Sequence, residues 1–212
     1  MKDIPFFATQ SGVASLILHQ IPYKSEAYIE IRHAADIKAL LKECCDFCRA
    51  AGANKIYATG NPFLEQYPVH TSVLQMSCYR DNLSGTDAQL IPVTQDNSEQ
   101  WRQIYNERMN GVHSAVTMTI HDMQKLCAAG GAYFVFNGDS LIGIGAAKND
   151  KISVVTSVKP GNGENIVKAL NGVLNGKIVF VEVSSNNEKA VQLYERLGFK
   201  TVNEIIRWYQ IK

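Results

Sequence analysis

The feature that most constrains the fold is the order of strand and helix signals in residues 151–199. An apolar, β-branched run at Ile152–Val158 predicts a strand, and the glycine-containing segment Lys159–Gly163 predicts a turn. The residues that follow repeat apolar side chains at helical spacing: Ile166, Val167, Leu170, Val173 and Leu174. A second buried strand at Lys177–Val183 leads to a second helix that ends at Gly198. This order of strand, glycine turn, helix, strand and helix predicts an α/β fold.

Both ends of the second helix carry chemical signals. Ser185 and Glu188 have the spacing of a capping box, in which a hydroxyl and a carboxylate bond free backbone amides reciprocally. Gly198 follows Leu197 at the position where a left-handed residue closes a helix without steric cost. Between these ends one face of the helix is apolar, and it consists of Ala190, Leu193, Tyr194 and Leu197. We therefore predict an amphipathic helix between the two caps.

Residues 187–199 resemble a known family. They read Asn-Glu-Lys-Ala-Val-Gln-Leu-Tyr-Glu-Arg-Leu-Gly-Phe, which resembles the last conserved block of the GNAT superfamily of N-acetyltransferases. In words, that block is Asn, two residues, Ala, then Leu-Tyr-Glu, then Gly-Phe, near the C-terminus and after a buried strand. The resemblance covers roughly Leu90 to the end of the chain. It implies an α/β (mixed α+β) fold, the GNAT acyl-CoA N-acyltransferase fold, with a central mixed sheet flanked by helices.

The first half of the chain requires its own explanation. The predicted order in residues 13–80 is strand, strand, helix, strand, helical turn and strand, which is also the order in residues 141–211. The first half lacks the glycine turn and the Tyr-Glu block. We therefore predict an N-terminal α/β extension at 1–84, as a degenerate half-copy of the fold, and an acetyltransferase domain at 87–212. An unrelated α+β extension is the alternative, and residues 81–87 are the predicted linker.

The helix predicted between Asp36 and Ala51 carries a Cys-x-x-Cys pair, Cys45 and Cys48. Cys45 lies off the apolar face of this helix, which consists of Ile37, Leu40, Leu41, Cys44, Phe47, Cys48 and Ala51. No second cysteine pair and no nearby histidine pair in the sequence completes a zinc site. We therefore predict core thiols and no bound metal. Asp36 is the predicted N-cap, and Gly52 the residue that closes the helix.

The composition excludes several classes of partner. Apolar residues make up 46% of the 212 residues, which is enough for a substantial core. Lys and Arg number 21 against 20 for Asp and Glu, and no polybasic block occurs, so neither nucleic acid nor a membrane is an expected partner. No apolar run approaches the roughly 18 residues of a membrane span, and the first residues lack a signal-peptide core. A cytoplasmic protein is therefore expected. The oligomeric state is open, and a homodimer is one possibility.

The glycine turn is the candidate phosphate site. Backbone amides at a helix N-terminus carry about half a positive charge and bind phosphate. In the GNAT family the corresponding turn holds the coenzyme A pyrophosphate, and its pattern is Gln or Arg, two residues, Gly, one residue, Gly or Ala. Gly163 matches the first glycine, whereas Pro160 stands in place of Gln or Arg and Asn165 in place of the second small residue. A turn with a purely structural role is the alternative.

The resemblance implies acetyl-CoA as the co-substrate, bound by three groups of residues. The turn would hold the pyrophosphate through Gly161, Asn162, Gly163, Glu164 and Asn165. Strand amides around Ser157 and Val158 would pair with the pantetheine and polarise the thioester carbonyl. Asn187 would contact the pantetheine or the chain near the adenosine, and it would also be compatible with a second helix cap beside Ser185.

Tyr194 is the predicted catalytic residue. By periodicity alone it is a core tyrosine on an amphipathic helix. In many GNAT enzymes, however, the tyrosine at this position lies near the coenzyme A sulfur and protonates the departing thiolate, so Tyr194 also counts as a cofactor-binding residue. A phenol with a pKa near ~10 remains protonated at neutral pH and can give its proton to a thiolate.

No motif supplies the general base that must deprotonate an ammonium before it attacks a thioester. Glu182, His113 and His121 are the candidates, and a chain of waters leading to solvent is the alternative. The predicted function is acetyl-CoA-dependent N-acetylation of a primary amine of a small molecule or peptide, by direct transfer. The alternative function is a non-catalytic GNAT-like module that binds coenzyme A or serves in an interaction.

Overall fold

The computed structural model describes residues 5–112 and 115–211. Its strands and helices follow in this order: β1 Phe6–Thr9, β2 Gly12–Ile17, α1 Ile21–Lys24, β3 Glu26–Ala34, α2 Ile37–Ala50, β4 Lys55–Thr59, β5 Val69–Tyr79, β6 Gln89–Pro92, α3 Ser98–Met109, α4 Ile120–Ala129, β7 Ala132–Asn137, β8 Ser140–Lys148, β9 Lys151–Ser157, α5 Gly163–Asn171, β10 Ile178–Ser184, α6 Glu188–Arg196 and β11 Lys200–Gln210. Two 3-10 turns, Pro62–Gln66 and Arg80–Leu83, complete the regular structure.

The chain divides into two compact units. The first unit contains the residues up to Ser72 and the segment from Ile206 onward, and the second contains Val73–Ile205. Both β5 and β11 therefore begin in one unit and end in the other. The sequence placed the boundary at 84–87 instead, and whether 87–212 acts as the acetyltransferase domain stays a prediction.

The predicted linker at 81–87 begins with packed structure. Leu83 is only 1% exposed and belongs to the apolar core of the second unit. The Asn171 side-chain amide donates hydrogen bonds to the carbonyls of Arg80 and Leu83, at 3.2 and 3.3 Å. Because the turn at 80–83 is anchored in this way, the chain crosses between the units before it.

The first unit has one sheet and one long helix. Its strands lie in the order β1, β2, β3, β4 and the end of β11, and only β3 and β4 are parallel. Strands β2 and β3 form a hairpin whose connection contains the short α1. The predicted N-cap of α2 is confirmed, since Asp36 Oδ1 accepts hydrogen bonds from the amides of Lys38 and Ala39, both at 3.0 Å. Gly52 has the expected positive φ of 99°.

The cysteines of α2 are core thiols. Cys44, Cys45 and Cys48 are all buried, and burial raises the pKa of Cys44 and Cys48 to about 12. The expectation that Cys45 lies off the buried face is wrong, because it is only 4% exposed. Tyr67 and Ile211 pack against the same apolar cluster, so the buried arc of α2 is wider than the apolar face visible in the sequence.

The second unit has a mixed sheet flanked by helices, as predicted. Its strands lie in the order β5, β10, β9, β8, β7 and β6, and only β9 and β10 are parallel. One face packs on α5 and α6, which contribute Ile166, Leu170 and Tyr194 to the core. The opposite face packs on α3 and α4 around the fully buried Trp101.

Two turns of the second unit are set by local residues. A capping box begins α4, where Thr119 and Asp122 each bond the other's backbone amide. Strands β7 and β8 form a hairpin. Asn137 pairs with Ser140, so its loop consists of Gly138 and Asp139. Gly138 has a φ of 56°, which explains why a glycine is needed there.

The two units have the same order and pairing of elements, and the repeat itself stays a prediction. In each unit an antiparallel strand pair is followed by a helix and a parallel strand: β2, β3, α2 and β4 in the first, and β8, β9, α5 and β10 in the second. In each, an antiparallel strand then flanks the parallel one. That strand is β11 beside β4 and β5 beside β10. Each unit therefore takes its flanking strand from the other half of the sequence.

Candidate functional site

The candidate site begins where two parallel strands separate. The register of β9 and β10 contains only the pairs Lys151 with Phe180 and Ile152 with Val181. Beyond these pairs, β9 continues to Ser157 and β10 to Ser184. The corresponding strands of the first unit, β3 and β4, keep five consecutive pairs. The second unit therefore has a gap at the carboxyl ends of its parallel strands, and the first unit has none at the equivalent place.

A β-bulge at Ser153 explains where the gap opens. On β8, Ala146 pairs with Val154 and the next residue, Ala147, pairs with Ile152, so Ser153 has no partner on that strand. A bulge of this kind bends its strand and increases the local twist. The Ser153 hydroxyl donates to the Ala146 carbonyl at 3.3 Å. The bend thus falls directly after the last residue of β9 that pairs with β10.

Backbone amides of β9 point into the gap at alternate positions. The Val158 amide donates to the Ile142 carbonyl on the β8 side, at 3.0 Å. Because amides of an antiparallel ladder alternate in direction, those of Val155 and Ser157 point away from β8 and towards β10. The Ser157 amide therefore suits its predicted role, whereas the Val158 amide already has a partner. The Ser157 hydroxyl donates to the Lys159 carbonyl.

A cavity of about 390 Å³ occupies the gap. The strands line it with Ser153–Val155 of β9 and with Glu182, Val183 and Ser184 of β10. Val154 packs with the cluster around Trp101, whereas Val155 packs with the cluster of α5 and α6. The lining therefore comes from both faces of the sheet.

Helix α6 contributes the predicted catalytic residue to this cavity. Asn187, Ala190 and Tyr194 line it. Tyr194 is 7% exposed, and its ring centroid lies 5.4 Å from that of Phe199. Burial raises the pKa of the Tyr194 phenol, so the hydroxyl keeps its proton well above neutral pH. Tyr194 and Asn187 are thus the two predicted site residues that the structure brings together.

The N-terminus of α6 differs from the prediction. The helix starts at Glu188, and the side chain of Asn187 accepts a hydrogen bond from the Ala190 amide at 3.3 Å. The predicted capping box of Ser185 and Glu188 is therefore wrong. An Asn three residues before an apolar helical position is itself a preferred cap, and here it directly precedes the helix. Gly198 at the other end has the predicted left-handed conformation, with a φ of 86°.

The glycine turn leaves the first amides of α5 without a side-chain cap. The N-cap is Asn162, whose side chain makes no capping hydrogen bond and instead donates to the Lys159 carbonyl at 3.1 Å. Gly161 has a φ of 87°, which requires glycine. A Cβ at Gly163 would lie 2.7 Å from Leu193 Cδ2, so this glycine lets α5 approach α6 closely.

Glu164 and Asn165 have side-chain partners elsewhere. The Glu164 carboxylate lies 2.7 Å from Lys168 Nζ, one turn later in the same helix. The Thr86 hydroxyl donates to Asn165 Oδ1 at 3.5 Å. Neither residue lines the cavity, so any role for them in phosphate binding rests on their backbone amides.

Of the three candidate bases, one lies in the cavity. Glu182 lines it, and its Oε1 lies 2.5 Å from Lys151 Nζ. His121 is exposed in the first turn of α4 and is not among the lining residues. His113 lies outside the residues that the structure describes.

Several lining residues were not recognised as site residues in the sequence. Tyr105 and Met109 of α3 line the cavity. Val116, after this helix, also lines it. A hydrophobic period cannot distinguish a wall of the core from a wall of a cavity. The bulge at Ser153 depends on the register of β8, which no local pattern reveals.

Two further features concern the described ranges, 5–112 and 115–211. No helix there is both long enough and apolar enough to cross a membrane. No group of three or more His, Cys, Asp or Glu side chains there could hold a metal ion.

Comparison with known proteins gives structural matches. No family model matches the sequence, and no curated protein shows a significant match. A functionally unknown conserved protein from Staphylococcus epidermidis is 10% identical, with a TM-score of 0.58, over 99% of this chain and 94% of that one. A GCN5-related N-acetyltransferase from Sphaerobacter thermophilus is 12% identical, with a TM-score of 0.56, over 95% and 77%. Another from Kribbella flavida is 12% identical, with a TM-score of 0.53, over 98% and 88%.

At identities of 10–12%, these matches establish the fold alone. The resemblance stated for residues 187–199 is confirmed at this level: the chain has the GNAT fold.

Proposed function

We propose that this protein transfers an acetyl group from acetyl-CoA directly to a primary amine. The observation that carries the proposal is the gap between β9 and β10, which is lined by side chains from both faces of the sheet. A direct transfer needs a thioester and an amine to meet without a covalent enzyme intermediate. A cavity whose lining comes from both faces would let the two substrates approach each other within it.

The gap suits the pantetheine arm of coenzyme A. The amides of Val155 and Ser157 point into it, and an extended chain with amide groups can pair with such a strand edge. One of these amides would polarise the thioester carbonyl. The small side chain of Ala190 and the polar side chain of Asn187 lie on the α6 side of the same space.

The start of α5 suits the pyrophosphate. The uncapped amides of Gly163, Glu164 and Asn165 lie at the positive end of the helix dipole. The cavity lies along β9, and the turn follows directly at its carboxyl end. A coenzyme A molecule in this pose would run from the turn to the middle of β9.

Tyr194 and Glu182 would divide the proton transfers. Glu182 lines the α3 side of the cavity and would accept the proton that the attacking ammonium must lose. Tyr194 lines the α6 side and would donate its phenolic proton to the coenzyme A thiolate as it leaves. The buried, protonated phenol suits an acid and not a base.

A second function is a non-catalytic module that binds coenzyme A or serves in an interaction. The observation in its favour is the turn itself, where Pro160 and Asn165 replace the residues that the family pattern calls for. Glu164 also places a carboxylate in the first turn of α5. A negative charge at that position opposes a pyrophosphate.

Calorimetric titration with acetyl-CoA, combined with an assay for released thiol in the presence of amines, separates these functions. We expect saturable binding and amine-dependent release of coenzyme A. Binding without release on any amine would favour the non-catalytic module. Absence of binding to acetyl-CoA and to free coenzyme A would contradict acetyl transfer and favour an interaction module.

A further inference from the structure

We infer that the amine acceptor is a small primary monoamine carried on an apolar group, such as an arylalkylamine. This inference rests on the proposed function and specifies its second substrate. It comes from the side chains on the α3 side of the cavity, where Tyr105, Met109 and Val116 lie with Val73 and Val154 of the strands. An apolar group would be removed from water by this wall, which favours its binding.

Tyr105 is fixed on this wall by its hydroxyl and by its ring. Its hydroxyl donates to the Val116 carbonyl at 3.2 Å. Its ring stacks on Trp101, with centroids 5.7 Å apart and planes at 9°. Trp101 is fully buried, and its indole nitrogen donates to the Tyr133 carbonyl at 3.0 Å. Tyr105 is therefore held in one orientation, with its hydroxyl proton already engaged.

The segment after α3 is fixed against the same helix. Asn106 accepts a hydrogen bond from the Met118 amide at 2.8 Å and donates to the Met118 carbonyl at 3.0 Å. Arg102 donates to that carbonyl at 3.2 Å. These bonds hold Val116 beside Tyr105, so the apolar wall exists before a ligand binds. A preformed wall reduces the entropy lost on binding.

Charge limits the acceptor further. Glu182 is the one carboxylate among the described residues that line the cavity, and Lys151 contacts only one of its oxygens. Its other oxygen can receive a single ammonium. A polyamine would bring further cations against an apolar wall, where unpaired charge is costly. An anionic acceptor would be repelled by Glu182. After transfer the product is a neutral amide, which loses its attraction to this carboxylate and can leave.

The test compares acceptors that differ in size and in charge. We would measure kcat/KM for 2-phenylethylamine, spermidine, an aminoglycoside and a short lysine-containing peptide, with acetyl-CoA saturating. We expect 2-phenylethylamine to be preferred by at least about 10-fold, the discrimination that apolar pocket contacts usually provide. A preference for spermidine, the aminoglycoside or the peptide, with normal acetyl-CoA turnover, would overturn the inference and leave the proposed function intact.

Two variants examine the wall and the charge separately. Tyr105→Ala should raise KM for 2-phenylethylamine by roughly 10-fold or more, whereas Tyr105→Phe keeps the ring and should change it little.

In the presence of free coenzyme A, calorimetry should show that the wild type binds 2-phenylethylamine more tightly than 2-phenylethanol. Glu182→Gln should remove that difference. Equal effects of Tyr105→Ala and Tyr105→Phe, or a difference that survives in Glu182→Gln, would contradict the inference.

Failure of the proposed function would be visible separately. If the protein binds neither acetyl-CoA nor coenzyme A, the proposed transfer reaction is contradicted. Direct titration of the free protein with 2-phenylethylamine then decides the amine site alone. Binding that is weakened in Tyr105→Ala would support the amine site, and absence of binding would contradict it.

Discussion

Asp36 and Asn162 are the N-cap residues of corresponding helices in the two units, α2 and α5, but only the Asp36 side chain caps its helix. Asp36 Oδ1 accepts the amides of Lys38 and Ala39 at the start of α2. The Asn162 side chain turns back to the Lys159 carbonyl and leaves the start of α5 uncapped. The free amides of α2 are thus bonded by a carboxylate of the chain itself, whereas those of α5 are open to an external anion.

The first prediction tests whether the uncapped start of α5 binds the pyrophosphate. Asn162→Asp should place a carboxylate at the start of α5, where it would occupy the free amides and repel a pyrophosphate. Repulsion of roughly 1–2 kcal/mol corresponds to a loss of about 5- to 30-fold in acetyl-CoA affinity, measured by calorimetry. The melting temperature should stay the same or rise, because Asp is a good N-cap. Asn162→Ser, which caps without charge, is the control. Equal acetyl-CoA affinity in Asn162→Asp and Asn162→Ser would place the pyrophosphate elsewhere.

A second prediction concerns the contact of α5 with α6. Gly163→Ala would bring a Cβ within 2.7 Å of Leu193 Cδ2 and should destabilise the protein by about 1–3 kcal/mol. Leu193→Ala in the same chain should relieve most of the clash, which chemical denaturation of the four variants would measure as coupling.

Gly161→Ala provides the matched comparison. A Cβ there meets nothing within 4 Å, and the only cost is the φ of 87°. Leu193→Ala should therefore give no relief at that position. Coupling of similar size at both glycines would refute the packing explanation for Gly163.

A third prediction concerns β11, which comes from the end of the sequence but pairs with β4 of the first unit. A fragment that ends at Ser72 would lack β11, whose Tyr209 and Gln210 pair with Ala58 and Tyr57 of β4. Tyr209 is also part of the first unit's core. We expect this fragment alone to lack the cooperative unfolding of a folded unit, as monitored by circular dichroism.

Restoring the missing strand should restore the fold. A chain of residues 5–72 joined by a flexible linker to residues 203–211 should unfold cooperatively. The same chain with Tyr209→Asp is the control, and it should not. Cooperative unfolding of the fragment without β11 would contradict the claim that the first unit needs this strand to fold.

A fourth prediction concerns alkaline pH. Burial raises the pKa of Cys44 and Cys48 to about 12 from an ordinary value of 9.0, so these thiols stay neutral in the folded protein. The unfolded chain loses these protons at lower pH, and stability should therefore fall as pH rises from about 9 towards 12. Urea denaturation at pH 8 and pH 10 measures this slope. The double variant Cys44→Ala/Cys48→Ala should have a flatter slope, and an identical slope would contradict the assignment.

The sequence predicted well what depends on neighbouring residues. The order of elements around Gly163, the closure of α6 at Gly198 and the inward position of Tyr194 all follow from local spacing. The gap does not, because it depends on the register between β9 and β10. The bulge at Ser153 likewise depends on the pairing of β8. The boundary of the units depends on which strands pair across more than a hundred residues, as Tyr209 does with Ala58.

The most direct test of the account is the turnover of Tyr194→Phe. The substitution removes one oxygen and keeps the ring beside Phe199, so stability should change by about 1 kcal/mol, the scale of one hydrogen bond. If the phenol protonates the leaving thiolate, kcat should fall by roughly 10²-fold or more, with acetyl-CoA affinity nearly unchanged. Tyr79→Phe, at a residue that is 70% exposed, serves as the control. We predict the loss of kcat in Tyr194→Phe alone, and full turnover in a folded Tyr194→Phe protein would contradict the account.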